Sequence, residues 1–443
     1  MTAYKDPRSE YGLNESRATG IHLLWDKRVY KLKIVTLISV LVILAVTGSG
    51  CSSESAAQAD VPSARSWQRS IANPLIIPRL TRMSQDFGPA DPTVLYDETD
   101  RKWKVWFSST LKDRSSGKET MSIKYADSSD GVHWSEPRIT FQVSADPGAW
   151  DHTHTETPAV IRNPDPGAPN GQKFMLWYSG ANTRLTARQS RPNTFPYYQI
   201  GLAYSADGKS FTRHRPGLDN QPGLVLVANA SIFGKQLPGR FGDGLLADPE
   251  VLFHDGRFHM WFSSYAESVP VPASVNGRSP LAFGISHASS LDGVTWVTGH
   301  DNPLRSLSKP GEIPAGQQPS VLFNPSSRQF EMWFSNDTDQ EKAGIPCSFN
   351  MVSGFWHAVS DDGIQWRPNY SRRDLHYSSK RPYESLGFLT GVEVVLIDGI
   401  YNLFYSGWGT AKIPGKDLYW CPDHKGKLIP AVLTLNRATY TLR

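Results

Sequence analysis

An all-β fold, a five-bladed β-propeller of four-stranded antiparallel blades, is what this 443-residue chain predicts. The first observation is a run closing on two aromatics and a serine that recurs five times, at Trp106-Phe107-Ser108, Trp177-Tyr178-Ser179, Trp261-Phe262-Ser263, Trp333-Phe334-Ser335 and Phe404-Tyr405-Ser406. The second is an Asp-Gly-x-x-aromatic turn after four of these runs, at Asp130 to Trp134, Asp207 to Phe211, Asp292 to Trp296 and Asp362 to Trp366. The third is a strand-like run ahead of each, anchored at Asp91-Pro92, Thr157-Pro158, Asp248-Pro249, Gln318-Pro319 and Gly391-Val392, with spacings of 66, 91, 70 and 73 residues. Self-similarity at this period, in alternating segments punctuated by Asp-Gly turns, belongs to radial β architectures rather than helical solenoids.

In the first unit Trp103, Val105 and Phe107 point one way and Lys104, Trp106 and Ser108 the other, the period-2 signature of a strand. Aromatics on both faces fit a blade pressed between two neighbours better than one layer of a sandwich. The Asp-Gly pairs supply the positive φ that tight hairpins need. The second unit is the longest. Residues 181–198 and 228–246, rich in Arg, Asn, Gly and Pro, are loops of a length usually tied to function. The fifth unit lacks the Asp-Gly-x-x-Trp ending, so the ring is expected to close there, with the Ile429 to Thr439 run and the stretch from Asn73 to Pro78. Closure removes exposed sheet edges.

Residues Ile34 to Val46 are uncharged and apolar, behind Lys27, Arg28, Lys31 and Lys33 and ahead of Thr47-Gly48-Ser49-Gly50-Cys51. This is the length of an export-signal core and short for a membrane span. Small residues before Cys51 resemble a bacterial lipoprotein signal, which would lipidate that cysteine, although Gly48 stands where a leucine-like residue is usual. An uncleaved signal anchor is the alternative. Either places the folded part outside the cytoplasm, in the cell envelope or secreted. The expected organisation is a signal over 1–50, a Ser/Ala-rich flexible tether over 51–65 and the propeller over 66–443. Most of the net charge of +4 belongs to the signal, so no nucleic-acid partner is expected, and a monomer is. Cys347 and Cys421 leave open either a disulfide or two buried thiols and are too few for a metal cluster.

In a propeller the innermost strands surround an axial funnel. Just before the shared Pro position stand Asp91, Thr157, Asp248, Gln318 and Gly391, and just after it Thr93, Ala159, Glu250, Ser320 and Glu393. Simple alternation puts both sets on one face. Carboxylates therefore gather at one end of the funnel: Asp91, Asp248, Glu250 and Glu393, with Glu156 one residue earlier in its unit. Paired carboxyl groups in a concave, aromatic-lined site suit glycosidic bond cleavage, where one stays protonated to serve the leaving oxygen and another stays ionised. Turn chemistry alone also favours Asp before Pro.

These motifs, from about Pro89 to Gly409, resemble the five-bladed propeller glycoside hydrolases that include family 43 arabinanases and xylosidases and family 32 and 68 fructan enzymes. Ala90-Asp91-Pro92 is similar to the motif carrying that family's base or nucleophile, and Ala247-Asp248-Pro249 to the one carrying its second carboxylate. The family's general acid is a Glu in the fourth blade, two residues before the Pro, and here that position is Gln317. An amide is no proton donor of that kind. Glu156, in Trp150-Asp151-His152-Thr153-His154-Thr155-Glu156, keeps the Glu-x-Pro spacing in the second unit and is the leading candidate acid, with Glu250 next.

The resemblance implies an exported glycosidase acting on an arabinose-, xylose- or fructose-containing glycan without a cofactor. A structural calcium or sodium ion occupies the axial channel of some such relatives. Trp150, Asp151, His154, Gln317, Gln318, Glu393 and Trp408 are candidate substrate contacts, with blade packing as the alternative for the aromatics and Asp151. The His152-x-His154 pair is read as sugar-binding or structural rather than as metal ligands. Two other readings remain. One is a non-catalytic carbohydrate-binding surface propeller, which Gln317 and Gln318 favour. The other is a sialidase-like enzyme, suggested by the Asp-Gly endings but opposed by a count of five units rather than six and by the lack of inner-strand arginines.

Overall fold

The computed structural model describes residues 65–78, 84–86, 88–113, 119–182, 198–227, 245–265, 283–299, 302–308, 316–336, 354–387, 389–409, 419–422 and 428–441. The export signal, nearly all of the tether, Cys51 and Cys347 lie outside them. Five antiparallel sheets follow one another in chain order as the blades of a ring. Blade 1 runs from the axis outward as Ala90–Asp97, Lys102–Asp113, Glu119–Ser128 and Arg138–Phe141, with Ser84–Asp86 added beside its second strand. Blade 2 is His154–Arg162, Phe174–Ala181, Gln199–Ser205 and Thr212–Arg213; blade 3 is Leu245–His254, Arg257–Tyr265, Phe283–Ser290 and Val297–Thr298. Blade 4 is Gln317–Asn324, Gln329–Ser335, Gly354–Ser360 and Trp366–Asn369.

Blade 5 is built from both ends of the chain. Its strands are Leu389–Ile397, Ile400–Gly409, Leu428–Thr441 and, outermost, Gln68–Arg69. The expected C-terminal run is thus the third strand. Its outer partner is the strand Gln68–Arg69, and further along the expected stretch from Asn73 to Pro78 also bonds it, through Asn73 to Arg437 and through Leu75 and Ile76 to Leu435. Ile76 contributes one isolated bridge, to Leu435, because the chain turns away between the two contacts.

The repeated residues do repeated work. Trp106, Trp177, Trp261 and Trp333 are fully buried on the second strands of blades 1 to 4. Three of these indoles donate to the Asp-Gly turn of the next blade: Trp106 Nε1 to the Gly208 carbonyl at 2.7 Å, Trp177 to Gly293 at 3.0 Å and Trp261 to Gly363 at 2.8 Å. Each turn is itself fixed by a serine two residues before the Asp. Ser128, Ser205, Ser290 and Ser360 all accept the glycine N–H at 2.9 Å. An edge-to-face aromatic pair closes these seams, with Trp177 against Trp296 at 6.1 Å and Trp261 against Trp366 at 6.2 Å.

Blade 5 has no Asp-Gly-x-x-Trp turn, and its seam with blade 4 is closed by substitutes. Trp333 Nε1 donates to Asp374 Oδ2 at 2.8 Å, and Trp67, from the other end of the chain, meets Trp333 edge-to-face at 6.4 Å. Trp67 Nε1 donates to the same carboxylate oxygen at 3.0 Å. One N-terminal tryptophan thus fills the place that an Asp-Gly-x-x-Trp turn fills elsewhere.

Candidate active site

Each innermost strand carries the same irregularity near its leading end. Asp91, Thr157, Asp248, Gln318 and Gly391 all have left-handed φ, between 45° and 53°. Pairing with the second strand slips there, between Ala90 and Thr93, Glu156 and Ala159, Ala247 and Glu250, Gln317 and Ser320, and Thr390 and Val392. Left-handed backbone costs non-glycine residues energy and persists only where surrounding structure imposes it. The serine ending the aromatic run is part of that surround in blades 1 to 3. Ser108 Oγ accepts the N–H of Thr157 at 2.7 Å, Ser179 that of Asp248 at 3.1 Å, and Ser263 that of Gln318 at 2.9 Å. Glycine is required at the fifth position, because a Cβ on Gly391 would overlap the Cα of Asp91.

This slip interrupts the alternation on which the sequence argument relied, and the two sets of residues do different jobs. The first set rings the axis. The second reaches sideways to the next blade, where side-chain oxygens accept a valine N–H: Thr93 from Val160 at 3.5 Å, Glu250 from Val321 at 3.1 Å, Ser320 from Val394 at 2.9 Å and Glu393 from Val94 at 3.4 Å. Ser320 also donates to Glu393 at 3.3 Å. Glu250 and Glu393 are buried and border the axial cavity, yet each is committed to joining blades. Burial raises both carboxyls, Glu393 to about 8, and each repels the charge of the other.

The axial cavity among the described residues is small, about 30 Å³, room for roughly one water. Asp91 and Asp248 line it and are half-buried. Glu156, only 8% exposed, lies close enough to sense both of their charges. Asp248 is the most firmly held. It accepts from Ser263 Oγ at 2.7 Å and from the Gln318 backbone, and burial raises it only to about 6. Asp91 accepts from Gln318 Nε2 at 2.9 Å and is raised to about 7 by burial and by the neighbouring Asp248 charge. Glu156 is raised to about 8, chiefly by burial. Its carboxyl accepts from the Tyr198 hydroxyl, and its Oε1 makes no hydrogen bond.

Tyr198 carries no signal in the sequence beyond ending the long segment 181–198. It is buried, its carbonyl accepts the N–H of Leu246 at 3.0 Å, and its ring meets His154 edge-to-face at 5.7 Å. His154 is half-buried and pushed by burial down to about 4, so it is a neutral imidazole two residues from Glu156 on the same strand. His152 turns elsewhere, with Nδ1 on the Ser144 carbonyl at 2.8 Å.

Trp150 and Asp151 are placed inside blade 2. Asp151, 0% exposed, takes the Tyr178 hydroxyl at 2.9 Å and Arg213 Nε at 2.7 Å on one oxygen, and Trp150 stacks on Tyr178 at 5.6 Å. Gln317 pairs across the sheet with Ser335, one residue ahead of the ring, and Trp408 is half-buried on the second strand of blade 5. Among the candidates, then, Asp91, Asp248, Gln318, Glu250 and Glu393 line the axial cavity, the two glutamates also joining blades. Glu156 stands beside Asp91 and Asp248, and His154 meets it through Tyr198.

No protein-family model matches the sequence, and neither does any curated protein. Solved structures do share its fold. A complex of BT0996 with RGII aligns at 15% identity with a TM-score of 0.53, over 82% of this protein and 90% of that one. A glycoside hydrolase aligns at 14% identity and 0.52, over 83% and 91%. A structure from the GH130 family of mannoside phosphorylases, reported to contain glycoside hydrolases that target β-1,2 mannosidic linkages in Candida mannan, aligns at 16% identity and 0.50, over 86% and 96%. The fold is thus the five-bladed propeller on which such glycoside hydrolases are built, and at these identities the likeness is one of fold.

Proposed function

We propose that this protein is an exported glycoside hydrolase, tethered to the membrane through Cys51 or an uncleaved signal, that cleaves an O-glycosidic bond in an arabinose-, xylose- or fructose-containing glycan. The observation that carries the reading is the graded set of carboxyl groups in one axial site: Glu156 at about 8, Asp91 at about 7 and Asp248 at about 6. Separated acidities on neighbouring carboxyls assign acid and base. Glu156 gives its proton to the leaving oxygen as the bond to the anomeric carbon breaks. Asp91 takes a proton from the water that attacks that carbon from the opposite side. Asp248, the most readily ionised of the three, faces the positive charge that develops on the sugar ring. Exchange with solvent then returns Asp91 to its ionised state and Glu156 to its protonated one.

The test is a screen of the protein from residue 66 onward against arabinans, xylans, fructans and pectic glycans with reducing-end detection, followed by Asp91→Asn. The hydrolase reading expects product from at least one glycan, an inverted anomer in the first product seen by NMR, and an Asp91→Asn variant that binds but does not turn over. A second reading, a non-catalytic glycan-binding propeller, is favoured by Gln317 standing where the resemblance puts the acid. Binding without product across the panel would select it.

A further inference from the structure

The seam between blades 4 and 5, where the repeat's Asp-Gly turn is missing, opens into a cavity of about 540 Å³ that shares no lining residue with the axial site. One wall is the start of the ordered N-terminal segment, with Arg65, Trp67 and Arg69. The other is the segment after blade 4, with Arg372, Arg373 and Asp374. Four guanidinium groups face one carboxylate. The acids nearby are already committed to the seam: Glu331 pairs with Arg65, Glu384 with Arg69 at 2.8 Å, and Asp374 holds two indoles and the Arg65 N–H.

Two further guanidinium groups belong to the mouth. Arg372 is exposed and forms no ion pair among the described residues. The Arg373 guanidinium lies over the face of Trp356, 5.1 Å from the ring centre. At the base, Arg65 is buried, paired with Glu331 and Asp374 and covered by the rings of Trp333 and Tyr401, so the cations open to a ligand are those at the mouth.

We propose that this seam cavity binds an anionic sugar residue, whose carboxylate or sulfate is held by Arg372 and Arg373 at the mouth. Guanidinium groups are suited to such oxyanions because their planar fork bonds two oxygens at once. The volume lies within the roughly 300–1,000 Å³ of small-molecule sites and accommodates one or two sugar rings, whereas a bare inorganic ion fills only a fraction of it. The proposal does not rest on the hydrolase reading. It gives the molecule a place to hold charged glycan remote from the axial carboxylates.

The experiment is calorimetric titration of the full chain with digalacturonate, its neutral counterpart galactobiose, a sulfated monosaccharide and inorganic sulfate, at low and high salt. Expected is binding of digalacturonate or the sulfated sugar at least tenfold tighter than of galactobiose, weakened by salt as screened charges require. Arg372→Glu, at an exposed position, is expected to weaken that binding at least tenfold at an unchanged melting temperature, and Arg372→Glu combined with Arg373→Gln to abolish it. Equal affinity for the neutral disaccharide, inorganic sulfate bound as tightly as either sugar, no binding of either charged sugar, or an Arg372→Glu variant that binds like the parent would each overturn the proposal.

Discussion

Gln318 of blade 4 reaches past blade 5 to Asp91 of blade 1: its Nε2 donates to Asp91 Oδ1 at 2.9 Å while its Oε1 accepts the Gly391 N–H at 3.2 Å. The backbone N–H fixes which end of the amide is the acceptor, so the donor end must face Asp91. Gln318 therefore orients Asp91, the proposed base. Gln318→Leu should lower kcat about tenfold, the order of one lost hydrogen bond to a charged group, with little change in KM. Gln318→Glu, which sets a second carboxyl against Asp91, should cost more at neutral pH. If Gln318→Leu instead raised KM and spared kcat, Gln318 would be a substrate contact and not a positioning residue.

The pH profile of kcat/KM should be bell-shaped, with the acidic limb near 6 to 7 from Asp248 and Asp91 and the alkaline limb near 8 from Glu156. The Tyr198 hydroxyl favours the ionised form of Glu156. In Tyr198→Phe that support is gone, so the alkaline limb should move upward, by roughly one pH unit, while the acidic limb stays. A Tyr198→Phe profile superimposable on the parent's would remove Tyr198 from the acid's environment.

Stability should run against activity at this site. Carboxyls raised in the fold bind protons more tightly than in the unfolded chain, whose values lie near 4. The fold therefore loses stability as pH rises from about 4 through the folded values of about 6 to 8, and the loss is complete above them. Asp91→Asn removes one buried charge. Its melting temperature should exceed the parent's by a few degrees at pH 8, with the gain shrinking towards pH 5, while turnover is lost. A gain as large at pH 5 as at pH 8 would mean that Asp91 titrates normally.

Trp67→Ala tests the ring closure. The indole is buried against Trp333, Tyr401 and Tyr440 and donates to Asp374, so truncation leaves both a cavity and a carboxylate short of a donor. Replacing a buried Trp by Ala costs about 3–5 kcal/mol, and thermal unfolding should register a loss of that order. Trp67→Phe, which keeps an aromatic ring against Trp333 but loses the N–H and part of the ring volume, should recover part of it. Equal losses for the two would place the energy in the hydrogen bond.

The blades were legible in the sequence because each repeated residue does the same job five or four times, and a job repeated leaves a pattern. The nearness of Asp91, Asp248 and Glu156 was legible for the same reason, since the two aspartates stand at a shared register before a proline and Glu156 one residue ahead of it. What alternation could not reveal was the slip on every inner strand. Its left-handed position is filled by Asp, Thr, Asp, Gln and Gly, with no common chemistry, because the backbone N–H there is held from outside: by the serine of the preceding blade at Thr157, Asp248 and Gln318, and by Gln318 Oε1 at Gly391. Glu250 and Glu393 do border the axial cavity, as alternation suggested, but it gave no hint that each also accepts a backbone N–H of the next blade. Tyr198 has no counterpart in other units, and only the unusual length of its loop hinted at it. Asp151 looked available until Tyr178 and Arg213, 27 and 62 residues away in sequence, were seen to occupy it.

The outermost strand of blade 5 is the first strand of the ring to be synthesised, and its partner, the 14-residue Leu428–Thr441, is the last. Throughout translation Gln68 and Arg69 must wait unpaired while four complete blades are made. The strand Leu428–Thr441 decides whether an open arc becomes a ring. A premature stop in that stretch would release a chain with most of its secondary structure and no closure, and the two exposed edges of that arc are where such a chain would meet another copy of itself.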